Sequence, residues 1–90
     1  MMRYSTQDPK YDIEDGRLIN ASSGQPIRAD EPIFIIRAKD RHALKTISNY
    51  ADLCENESHQ QAVWDRCLEF EEFALKNPKK MNEPDTNHKE

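Results

Sequence analysis

From Tyr11 to Glu14, apolar and polar residues alternate. Tyr11 and Ile13 are set against Asp12 and Glu14, the two-residue period of a strand with one wet face. Asp15-Gly16 interrupts the alternation. That dipeptide suits a two-residue hairpin turn, in which both central residues need positive φ. The turn would set Glu14 opposite Arg17 and Ile13 opposite Leu18, one charged pair and one apolar pair, both favourable. Ala21 to Asp30 carries Ser22, Ser23, Gly24 and Pro26 and reads as a loop anchored by Ile27. Pro32 then opens Ile33-Phe34-Ile35-Ile36, a continuous apolar run that predicts a third strand covered on both faces.

After Asp40, a suitable N-cap, the period changes. Leu44, Ile47, Ala51 and Cys54 recur at helical spacing, which predicts a helix over about 41–54. Ser58 and Gln61 form a capping box for a second helix running through Val63, Trp64, Cys67, Leu68, Phe70, Phe73, Ala74 and Leu75. Asn77 would take a left-handed cap, and Pro78 would stop the helix. A connection this short makes the helices antiparallel neighbours. The predicted fold is α+β: an N-terminal β-hairpin plus a third strand in a small antiparallel sheet, then an antiparallel two-helix half. Residues 10–77 are expected to form a single domain, with mobile tails at 1–9 and 78–90.

Composition changes this picture in two ways. The 90 residues are 33% charged and carry a net charge of −4, which disfavours general nucleic-acid binding because no basic stripe is large enough to collect phosphates. An ordered region this small also draws only about 3–5 kcal/mol from one core, so a further source of stability is expected. No run resembles a signal peptide or membrane span, so the expected setting is cytoplasmic and reducing. Cys54 and Cys67 are then free thiols rather than a staple. With no disulfide, self-association as a homodimer is the expected supplement.

Chemistry is sought first in a basic cluster: Arg37, Lys39, Arg41, His42 and Lys45. It sits at the start of the first helix, where cations oppose the helix dipole. Such a cluster beside helix N–H groups suits a phosphorylated small molecule or nucleotide. Charge matching with Glu69, Glu71 and Glu72 across an antiparallel helix pair would explain the same residues with no ligand. A metal site from His42, Cys54, His59 and Cys67 lacks a closely spaced ligand pair, and 11–20 fails as a calcium loop. No catalytic residue, metal or cofactor is expected, and an enzyme is the least favoured class. The second helix is apolar over more than half its circumference. Trp64, Leu68, Phe70, Phe73 and Leu75 are therefore the expected interface.

Asp15-Gly16-Arg17-Leu18-Ile19-Asn20, Ser23-Gly24-Gln25-Pro26-Ile27 and Asp30-Glu31-Pro32-Ile33-Phe34-Ile35-Ile36-Arg37-Ala38-Lys39-Asp40 resemble small uncharacterised phage and prophage proteins. Glu71 to Lys79 and Met81 to Thr86 are similar to them too. The resemblance rests on structural punctuation and assigns no functional residue. It implies a bacterial intracellular setting, in which such proteins bind a host factor or sequester a signalling nucleotide. The functional expectation is a non-catalytic accessory protein that modulates or inhibits a host bacterial protein, with counter-defence as one such role. Sequestration of a phosphorylated signal at residues 37–45 is the alternative. No membrane partner is expected.

Overall fold

A computed structural model describes residues 2–85. The chain is α+β: a three-stranded antiparallel sheet followed by two antiparallel helices. It divides into two compact units, Met1–Phe34 and Ile35–Glu90.

The first unit is built on the predicted hairpin. Strands β2 (Tyr11–Glu14) and β3 (Arg17–Asn20) pair with Glu14 opposite Arg17 and Ile13 opposite Leu18. Asp15 (φ 51°) and Gly16 (φ 76°) both take the left-handed conformation that the turn requires. The third strand is not Pro32–Ile36. It is β1, Arg3–Ser5, within the stretch expected to be a mobile tail. The Arg3 side chain helps hold it there, through a 2.9 Å ion pair with Asp12 and a hydrogen bond to the Ala21 carbonyl.

The other edge of the hairpin is also taken. Asn20 N–H donates to the Gln25 carbonyl, Ile27 N–H donates to the Leu18 carbonyl, and Pro26 bridges Ile19. The loop thus folds back along β3, which leaves no place in the ladder for Pro32–Ile36. Ile19 is the buried residue of this unit, and it lies opposite Asp12. The covered face is therefore the one expected to be wet, while Ile13 is exposed.

The second unit pairs α1 (Ala43–Leu53) with α2 (Glu57–Lys76). Ala43 and Ala51 on α1, and Val63 and Cys67 on α2, are its buried apolar residues. Small alanines let the two backbones approach, which is consistent with so narrow a core. Asp40 caps earlier than predicted: its carboxylate accepts from the His42 N–H at 2.8 Å, closing a turn before α1 begins. The cap of α2 is Asn56, whose side chain accepts from the His59 N–H, so the helix starts ahead of the expected Ser58 box. Gln61 turns to Asp65 instead of reaching back.

Asn77 is not left-handed. With φ −134° it donates both its backbone N–H and its side-chain amide to the Phe73 carbonyl, closing the last turn of α2. Pro78–Lys80 follows as a single 3₁₀ turn, and Asn82 bridges to Asp40. The stretch 78–85, expected to be tail, therefore carries ordered contacts, and 86–90 lies outside the described residues. No helix among the described residues is long and apolar enough to cross a membrane.

Candidate functional site

Two consecutive turns shape the basic cluster. Asp40 N–H donates to the Arg37 carbonyl, and Ala43 N–H donates to the Asp40 carbonyl. Residues 81–83 then lie alongside. Asn82 N–H donates to the Lys39 carbonyl, and Arg41 N–H donates to the Asn82 carbonyl. The N–H groups of Arg41, His42 and Ala43 are all engaged, so fewer backbone donors remain for a phosphate at this helix start.

The side chains follow the same plan. Glu83 sets one carboxylate oxygen 3.7 Å from Arg41 Nη2 and the other 3.3 Å from His42 Nε2. Arg41 thus turns to Glu83 and not to the acids of α2. Of those acids, Glu69 pairs with Arg66 and Glu72 with Lys76. The Lys76 ammonium holds the Glu72 carboxyl below its usual range. Lys45 is exposed on the first turn of α1, Lys39 is half-buried and Arg37 is exposed. The structure therefore gathers Arg41 and His42 at one carboxylate. Glu83 was missed because its segment has no periodicity; half-buried Met81 and Pro84 on either side of it were the available signal.

The other sequence candidates part company. His59 Nε2 lies 2.9 Å from the Tyr50 hydroxyl, and the Cys54 thiol donates to the Tyr50 carbonyl. Cys67 is buried between the helices, where burial, reinforced by the Asp52 carboxylate, pushes its thiol pKa up. Among the described residues, no group of three or more His, Cys, Asp or Glu side chains is placed to hold a metal.

The apolar surface of α2 is more substantial. Between α1 and α2 runs a shallow groove of about 400 Å³, lined by Leu44, Ser48, Trp64, Cys67, Leu68 and Glu71. Cys67 forms its floor. Leu68, 65% exposed, and Trp64 stand at its side, and Leu75 is exposed further along the helix. Phe70 and Phe73 are half-buried. The expected interface thus separates into an outward set, Trp64, Leu68 and Leu75, and two phenylalanines turned partly inward. Asp65, Glu69, Glu71 and Glu72 are exposed around the outward set. The groove accepts an apolar side chain, and Glu71 in its lining favours a cation beside it.

A third feature is the run expected to be a buried strand. Ile33, Phe34 and Ile35 are exposed, Phe34 to 87%. No known protein family, curated protein or solved structure matches the chain.

Proposed function

We propose that this chain is a non-catalytic binding protein of the phage accessory type, which docks on a host bacterial protein in the cytoplasm and modulates or inhibits it. The observation that carries the reading is the α1–α2 groove, with Leu68 exposed at it and the Glu71 carboxylate in its lining. An apolar anchor ringed by charge is how a docking surface combines affinity with orientation. The partner that fits is a helix or loop with an apolar side chain flanked by lysine or arginine. The phage setting is supported by the sequence resemblance. The phosphate-ligand reading is the weaker one, because the Glu83 carboxylate already sits at Arg41 and His42, where an anion would repel it.

The test is capture from bacterial lysate by the wild-type chain and by Leu68→Glu, with captured proteins identified by mass spectrometry and then titrated in purified form. Leu68 is exposed, so the variant should fold. The expected result is one protein held by wild type and bound about tenfold or more weakly by the variant. Equal binding by both chains would remove the groove from the reading. A small molecule retained by wild type and lost by Arg41→Ala would transfer the function to the basic cluster.

A further inference from the structure

The segment from Pro32 to Ile36 lies outside the helices and strands; Ile33 (54%), Phe34 and Ile35 (76%) are exposed and Ile36 is half-buried. Among the described residues, the backbone groups of Ile33 to Ile36 have no hydrogen-bond partner. Unpaired backbone bearing large exposed apolar side chains is a template for another strand. We propose that this segment pairs antiparallel with the same segment of a second copy, forming a two-fold dimer centred on Phe34.

The sequence is self-complementary in that register. With Phe34 opposite Phe34, Ile33 faces Ile35 twice, and Glu31 faces Arg37 twice, so each flank carries an opposite-charge pair. Proline fixes which pairs exchange hydrogen bonds. Pro32 has no N–H, so its pair with Ile36 belongs at a position without hydrogen bonds. Hydrogen-bonded and non-hydrogen-bonded pairs alternate in an antiparallel ladder. The Phe34 pair then also falls at a non-hydrogen-bonded position, where the side chains lie closest. The Ile33–Ile35 pairs fall at hydrogen-bonded ones and supply four bonds across the axis. Glu31 N–H is already given to the Arg28 carbonyl, so the flanking pairs act mainly through their side chains. Each copy offers the other the same segment, and the contact closes on itself. None of these residues lines the α1–α2 groove, so the two proposals fail independently.

Charge exchange tests it on the full chain. Sedimentation equilibrium at tens of micromolar should show wild type as a dimer. Glu31→Arg alone, or Arg37→Glu alone, sets two like-charged pairs face to face and should raise the dimer dissociation constant about tenfold or more. An equimolar mixture of the two variants should recover dimers, all of them mixed, in native mass spectra. The double variant E31R/R37E should recover the homodimer. Circular dichroism matching wild type confirms that each variant is folded. Phe34→Asp, at an exposed position, should give a monomer. A monomeric wild type, single variants that dimerise like wild type, or single variants that are not rescued by mixing would each overturn the proposal.

Discussion

Replacement of Gly16 isolates the cost of the hairpin turn, because nothing else is disturbed there. Gly16 sits at φ 76°, and a Cβ added to it would meet no atom within 4 Å. The penalty for a side chain is therefore that of the backbone alone. A left-handed conformation costs an L-residue about 1–2 kcal/mol. Against this, alanine returns about 0.4–1 kcal/mol by restricting the unfolded chain. Gly16→Ala should then destabilise the hairpin by roughly 1 kcal/mol, the difference of those two ranges. Gly16→Val should cost about 2 kcal/mol, since a β-branched residue is a true outlier at positive φ. Gly16→Asn should stay within about 0.5 kcal/mol of wild type, because asparagine tolerates this region.

Native-state amide exchange read by NMR at Asn20 and Ile27, whose N–H groups tie the loop back to β3, reports this unit directly. A factor of ten in exchange corresponds to about 1.4 kcal/mol, so alanine should speed these amides roughly fivefold and valine more than tenfold. Valine exchanging as slowly as glycine, or asparagine exchanging as fast as valine, would refute the turn assignment.

Asn56→Ala removes the side-chain acceptor for the His59 N–H and should cost about 1 kcal/mol of helix-pair stability, while Asn56→Asp should retain it; thermal unfolding followed by Trp64 fluorescence distinguishes the two. The cysteines should differ in reactivity: a maleimide at neutral pH should modify half-buried Cys54 well before buried Cys67. Cys67 also gives a sign for alkaline stability. Its folded pKa is raised, so the folded chain keeps a proton that the unfolded chain loses. Stability should therefore fall as pH rises past the ordinary thiol value of about 9. Denaturant midpoints at pH 7 and pH 10 should fall less steeply in Cys67→Ala, and equal slopes would contradict the assignment.

Features that depend on near neighbours in sequence were legible. The Asp15-Gly16 turn, the pairing across it and both helices need only information within a few residues, and each is present. Helix ends were less so, because Asn56 and Ser58 are both competent caps and only packing selects between them. The identity of the third strand was hidden. Arg3-Tyr4-Ser5 has no apolar alternation, and its place is held by a backbone ladder and by the Arg3 contacts to Asp12 and Ala21. The candidate site was half legible for the same reason: Arg41 and His42 stand out as a basic cluster, but the carboxylate that faces them comes from Glu83, far along the chain.

The misreading of Ile33-Phe34-Ile35-Ile36 has a different origin. An apolar run signals that burial is favourable, worth roughly 1.5–3 kcal/mol for each large side chain covered. It does not say which molecule does the covering. The N-terminal residues fill one edge of the hairpin, and the Gln25–Ile27 return fills the other. Ile33, Phe34 and Ile35 are left exposed and the backbone of the run unpaired, as in a strand that pairs with another chain. Pro32 placed two residues before the central Phe34, with Glu31 and Arg37 at equal distances on either side of it, is then more than sequence punctuation. Such symmetry has no use in a strand buried within one chain, where the two flanks meet different neighbours. It is useful where the segment meets itself reversed.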